Sequence, residues 1–140
     1  MPYDEEEPPY VEPDVEMHEL TGRAIAAAYE VYGGLGPGLD ESIYRAAMCR
    51  ELSIREIPFQ TEVWIDVAYK GEVVGRKRID LLVAGRLVLE LKAVETLTPL
   101  HKAQLLTYLK IMRFRVGLLI NFNSTLLKDG IKRVLNPAAF

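Results

Sequence analysis

Residues 76–94 decide how the chain is read: Arg76-Lys77-Arg78-Ile79-Asp80-Leu81-Leu82-Val83-Ala84-Gly85-Arg86-Leu87-Val88-Leu89-Glu90-Leu91-Lys92-Ala93-Val94. Two apolar runs flank a glycine, and both carry charge at alternate positions. Successive side chains of a strand point to opposite faces. In the run from Leu87 to Val94, Leu87, Leu89 and Leu91 therefore face a core, while Glu90 and Lys92 share the other face. In the run from Val73 to Val83, Ile79, Leu81 and Val83 face one way, and Arg76, Arg78 and Asp80 the other. A two-residue turn at Gly85-Arg86 would mix polar and apolar groups on both faces. A three-residue turn, Ala84-Gly85-Arg86, sets Val83 opposite Leu87 and Asp80 opposite Glu90, and it keeps the apolar set together. A slip of one residue flips every side chain, so the pattern selects the second register.

In that register two carboxylates stand opposite each other, and uncompensated like charges there repel. A cation between them removes the conflict. Two carboxylates suit Mg²⁺, which keeps several waters and accepts phosphate oxygens as further ligands. Lys92 alongside would orient or deprotonate a water, or stabilise charge on a phosphate. The expectation is metal-assisted hydrolysis of a phosphodiester. The competing reading of Glu90 and Lys92 alone is a solvent-facing ion pair on a half-exposed sheet.

Working outward, Gln60 to Tyr69 alternates as a strand, and Lys70-Gly71-Glu72 turns it into the next. Upstream, helical spacing predicts a helix from about Val15 to Tyr32, with Met17, Leu20, Ala24, Ala27, Ala28 and Val31 on one face. Gly33-Gly34-Leu35-Gly36-Pro37-Gly38 breaks it, and a second helix runs from about Asp40 to Leu52. Downstream, Pro99 opens a helix to about Met112, Val116 to Asn121 forms a fourth strand, and Leu126 to Leu135 is read as a last helix. The expected order is α-α-β-β-β-α-β-α: an α/β (α+β) fold with a central mixed four-stranded sheet flanked by helices.

Composition sets the frame. The 140 residues are 49% hydrophobic and 9% aromatic, as expected for one globular domain. The net charge is −3, but residues 1–16 hold seven acids and no base. Without them 17 basic and 13 acidic residues remain, a net of +4. That mildly basic body permits a polyanionic partner. Residues 1–13, with four prolines among acids, are expected to be a disordered tail, and residues 14–140 a single domain. A lone Cys49 excludes an internal disulfide and is read as a small inert residue on a helix face. With no signal peptide and no apolar run approaching ~18 residues, the expected compartment is the cytoplasm, away from membranes.

Three further groups bear on the chemistry. His101, Gln104 and Tyr108 share a helix face, where Gln104 would orient Lys92 or a phosphate and Tyr108 would bond a carboxylate or substrate. Tyr108 reads equally as a core tyrosine with a wet hydroxyl, and His101 as a helix-start residue. Glu41 opens the second helix, where an acid is favoured by the macrodipole, with Arg45 at i+4 as a surface pair. Arg76, Lys77 and Arg78, with Lys110, Arg113 and Arg115, offer phosphate contacts or merely solvated edges. The glycine run at 33–38 follows a helix and lacks Gly-Lys-Ser/Thr, so a nucleotide-binding loop is a poor reading.

Asp80, then Glu90-Leu91-Lys92, then Gln104 and Tyr108 resembles the PD-(D/E)xK nuclease superfamily in its RecB-like form. Gly38-x-x-Glu41-x-x-Tyr44 matches the motif that names the GxxExxY proteins, a branch of it. The resemblance covers roughly residues 17–135, with Ile79 where the superfamily name has proline. It implies a restriction-endonuclease-like core. It implies Asp80, Glu90 and the accessory Glu41 as metal ligands for Mg²⁺ or Mn²⁺, Lys92 as the catalytic lysine, and Gln104 and Tyr108 as helpers. The leading expectation is a Mg²⁺-dependent nuclease acting on DNA rather than RNA. The alternative is a non-catalytic nucleic-acid-binding or self-assembling protein that keeps the fold. A chain of this size has no separate recognition module, so targeting points to a partner or a homo-oligomer.

Overall fold

The computed structural model describes residues 15–138; the acidic segment 1–13 lies outside them. The elements are α1 (Val15–Leu35), α2 (Glu41–Ile54), β1 (Phe59–Tyr69), β2 (Glu72–Val83), β3 (Leu87–Lys92), α3 (Pro99–Met112), β4 (Val116–Asn121), a 3₁₀ turn (Leu127–Gly130) and β5 (Ile131–Leu135). The strands form one sheet in the order β1-β2-β3-β4-β5. Only β3 and β4 pair in parallel, across α3; the other pairs are antiparallel. Among the described residues no helix is long and apolar enough to cross a membrane.

The expected last helix is not there. Its segment makes one 3₁₀ turn and then pairs along β4, so the sheet has five strands rather than four. The cause lies in β4, whose six residues are all buried and whose outer edge needs hydrogen-bond partners. Ile131, Val134 and Leu135 suit a helix face and a strand equally, and the edge decides.

The hairpin from β2 to β3 has the expected turn. Val83 pairs with Leu87, Leu82 with Val88 and Leu81 with Leu89. Ala84 and Gly85 take φ of 52° and 66°, and Arg86 N–H donates to Val83 O at 3.0 Å.

Burial departs from the expectation of one core face. Leu81, Val83, Leu87, Leu89 and Leu91 pack under α1 and α2, but Leu82 and Val88 are buried too, in a second cluster with Leu105 and Leu109 of α3. Ile79 belongs to that second cluster, not with Leu81 and Val83. The face shared by Glu90 and Lys92 is thus roofed by α3 rather than open to solvent.

Helix α3 is anchored at its start. Pro99 supplies the fixed φ of a first turn, and His101 Nδ1 accepts the Thr98 N–H at 3.0 Å in a capping box. His101 is therefore a capping residue. At the far end Arg113 takes the left-handed conformation, with φ of 64°.

Candidate active site

The site begins where β2 and β3 part. Continuing the register from Leu81 and Leu89 brings Asp80 opposite Glu90, but the main chains no longer pair there. Side chains take over the ladder. Glu90 Oε2 accepts the Asp80 N–H at 3.0 Å, and Asp80 Oδ2 accepts the Leu91 N–H at 2.8 Å. Each carboxylate spends one oxygen on the opposite strand, which fixes its direction. Beyond this point β2 pairs only with β1, and residues 72–78 are exposed along a projecting two-stranded arm.

The electrostatics are those of a site short of positive charge. Glu90 is 8% exposed. Burial, then the Asp80 charge, push its carboxyl from an ordinary 4.5 up to about 7, against the Asp80 N–H bond and Lys92. Glu41 is raised as well, first by burial and then by Asp80, with Lys92 and Arg45 opposing. Burial and the charges of Glu90 and Asp80 raise Tyr108. These influences put Glu41, Asp80, Glu90, Lys92 and Tyr108 in one field, drawn from α2, β2, β3 and α3. Glu90 Oε1 and the Lys92 ammonium have no hydrogen-bond partner among the described residues.

Helix α2 delivers Glu41 through a latch built by Tyr44. The buried Tyr44 hydroxyl donates to Gly36 O at 2.5 Å and accepts the Leu39 N–H at 3.1 Å. Its ring stacks on Phe122 at 4.6 Å. The loop it ties needs left-handed backbone, with φ of 69° at Gly36 and 103° at Gly38. Gly38, Glu41 and Tyr44 are thus one device: a tight loop, a carboxylate at the helix start, and the pin that holds the loop.

Not every expected group is assembled. Among the described residues no three of His, Cys, Asp and Glu are grouped so as to hold a metal ion, so the three-carboxylate site of Asp80, Glu90 and Glu41 is not preformed. Arg45 stands between two of them, its Nε 3.2 Å from Asp80 Oδ1 and its Nη2 3.7 Å from Glu41 Oε2. Gln104 makes no hydrogen bond to Lys92 or to either carboxylate among the described residues. It lies with Tyr108, Val67 and Lys77 along a largely apolar groove of about 260 Å³ between α3 and the arm.

The basic candidates divide. Arg78 lines a cleft of about 210 Å³ beside Asp80, with Arg45, Cys49, Thr61 and Glu62. Arg76 is engaged on the arm, 3.2 Å from Asp66 and with its guanidinium 5.1 Å from the centre of the Trp64 ring. Lys110 and Arg113 close α3 at the end of the sheet where β4 begins, whereas Glu90 and Lys92 lie where β3 finishes. Burial raises the Cys49 thiol against the lowering influence of Arg45, which favours its protonated form.

Sequence reasoning missed two roles. Arg45 was legible only as a surface partner of Glu41, because nothing in one strand and one helix says that they meet. The Tyr44 latch was visible only as a letter of a motif.

The donor chemistry fits a hard divalent cation. Asp80 Oδ1 and Glu90 Oε1 are the oxygens not spent on main-chain N–H groups, and Mg²⁺ is commonly held by one or two carboxylates plus water. A mixed α+β sheet thus carries two carboxylates and a lysine where β2 and β3 separate. The chain belongs to the PD-(D/E)XK nuclease superfamily, whose family model matches residues 18–134. Nucleases of that superfamily generally use divalent metals. A solved structure described as SSO0001 is similar, at 21% identity and a TM-score of 0.54, over 92% of this chain and 62% of that one. This chain therefore spans less than two thirds of that protein, and the likeness concerns the fold. No curated protein matches the chain.

Proposed function

We propose that the protein is a Mg²⁺- or Mn²⁺-dependent nuclease that hydrolyses DNA phosphodiester bonds, from the GxxExxY branch of its superfamily. One observation carries the reading. Asp80 and Glu90 each bond the opposing strand through one oxygen at the gap between β2 and β3, Arg45 holds the other oxygen of Asp80, and the Lys92 charge acts on Glu90. A structural ion pair would not need two mutually repelling carboxylates there.

In this reading Asp80 and Glu90 hold the ion, with Glu41 as the accessory carboxylate. A bound divalent ion supplies Lewis acidity and a lowered pKa for coordinated water. Lys92 orients the attacking water and balances charge growing on the phosphate. Tyr108 stays protonated near neutrality and serves as a hydrogen-bond donor. Gln104 reaches the reaction only once substrate lies along the α3 groove. Arg78 meets substrate phosphates beside the cleft, with Arg76, Lys110 and Arg113 as outlying contacts. A cytoplasmic setting belongs to the same reading.

Two observations favour the alternative, a non-catalytic nucleic-acid-binding or self-assembling protein. Arg45 neutralises Asp80 and Glu41 without a metal, while the arm exposes Trp64, Tyr69, Val73 and Val74 as surface for a homo-oligomer. The two readings separate in a nuclease panel of single- and double-stranded DNA and RNA with Mg²⁺ and Mn²⁺. The nuclease reading expects divalent-dependent cleavage of DNA by the wild type and none by Asp80→Ala. Equal cleavage by both, or none on any substrate, rejects it in favour of the alternative.

A further inference from the structure

The basic group in direct contact with the site carboxylates is Arg45, on the second turn of α2. Asp80 Oδ2 is committed to the Leu91 N–H, so Oδ1 is the oxygen left for an ion, and Arg45 Nε holds it at 3.2 Å. The same guanidinium reaches Glu41 through Nη2 at 3.7 Å, one helical turn back. Arg45 and Asp80 both border the cleft of about 210 Å³ between α2 and the arm, where Glu62 offers another carboxylate. The guanidinium thus has open volume beside it into which it can turn away from Asp80.

A divalent ion on Oδ1 and a guanidinium hydrogen-bonded to Oδ1 compete for the same oxygen, and their charges repel. Whatever stabilises the Arg45–Asp80 contact is therefore subtracted from the affinity for the ion. We propose that Arg45 is a built-in competitor for the metal position: it closes the site between Asp80 and Glu41 in the ion-free protein, turns into the cleft when an ion binds, and so sets the metal affinity. The inference rests on Asp80 being a metal ligand, as read above. Arg45 acts as a positioning residue, and its removal produces a gain in metal binding. A residue that merely held α2 in place would produce a loss.

The experiment is calorimetric titration of MgCl₂ and MnCl₂ into the full chain as wild type, Arg45→Gln, Arg45→Met, Arg45→Lys, Arg50→Gln and Asp80→Asn. Arg50 is an exposed arginine on the same helix and controls for lost net charge. Arg45→Gln and Arg45→Met are expected to bind the ions about tenfold more tightly, about 1.4 kcal/mol. Arg45→Lys, which keeps a cation, should stay within about threefold of wild type, as should Arg50→Gln, because exposed charges are screened. Arg45→Met retains the apolar stem, so one of the two neutral variants should remain folded if the other does not. If wild type binds the ions and both neutral variants match Arg50→Gln or bind more weakly, the competitor role is wrong while the metal site stands. If no chain binds an ion, or Asp80→Asn binds as wild type does, the metal reading itself fails and takes this inference with it.

Discussion

Replacing Glu90 by glutamine should make the ion-free protein more stable at alkaline pH, although it removes a proposed metal ligand. Glu90 is 8% exposed, and burial and Asp80 raise its carboxyl from 4.5 to about 7. The folded-state value lies above the unfolded one, so the native chain binds this proton more tightly. The stabilising contribution is full below pH 4.5, declines as pH rises, and is lost once pH passes about 7. A difference of that size corresponds to about 3 kcal/mol at most. Glutamine stays neutral throughout. Its carbonyl can accept the Asp80 N–H as Glu90 Oε2 does, and its NH₂ replaces an oxygen that Asp80 repels.

The assay is thermal unfolding in EDTA from pH 4.5 to pH 8.5. Wild type and Glu90→Gln should melt together at the acid end and separate progressively to pH 7.5. The variant should then be up to roughly 10 °C more stable, taking a few degrees per kcal/mol for a chain of this size. Adding Mg²⁺ at pH 8 should raise the wild type and leave the variant unmoved, because bound ligand stabilises only the form that binds it. A variant less stable than wild type at pH 8, or a gap that does not change with pH, would refute the picture of Glu90 as a carboxylate lacking a cation.

Other substitutions test separate parts of the site. Lys92→Ala should lower cleavage by about 10²–10⁴ while leaving Mg²⁺ affinity unchanged or tighter, whereas Asp80→Ala should lose both rate and affinity; single-turnover kinetics with calorimetry distinguish the two. Arg78→Ala should weaken DNA binding and reduce the salt dependence by about one phosphate contact, and Arg76→Ala, already paired with Asp66 and stacked on Trp64, should do less. Anisotropy titrations across salt concentrations read both; equal slopes for Arg78→Ala and wild type would remove Arg78 from the interface. Tyr44→Phe leaves Gly36 O and the Leu39 N–H without the hydroxyl and should cost about 1–3 kcal/mol in urea unfolding. A neutral result would mean that the loop before Glu41 does not depend on the latch.

How much of this was legible in the sequence follows from the range of each interaction. The β2–β3 register was readable because it is local: a turn of Ala84, Gly85 and Arg86 and a period of two leave one arrangement that keeps the leucines together. Asp80 opposite Glu90 followed from that alone. Helix α3 was readable because its start signal is local: Pro99 stands at the first helical turn. The segment after Leu126 was misread because its fate depends on β4, whose unpaired edge supplies hydrogen bonds that a five-residue stretch cannot reveal about itself. The single-faced core was misread for a related reason. Leu82 and Val88 break strict alternation, and only the arrival of α3 on that face explains why they are buried. Arg45 is the sharpest case. Its spacing from Glu41 is a local fact and gives the local answer, a surface ion pair. Its contact with Asp80, 35 residues away, exists because α2 crosses the sheet where β2 leaves β3. That crossing changes the chemistry: the arginine that would decorate a helix instead meets the Asp80 oxygen proposed above as a metal ligand. A motif defined by Gly38, Glu41 and Tyr44 sets the position of α2, and hence of Arg45, without naming it.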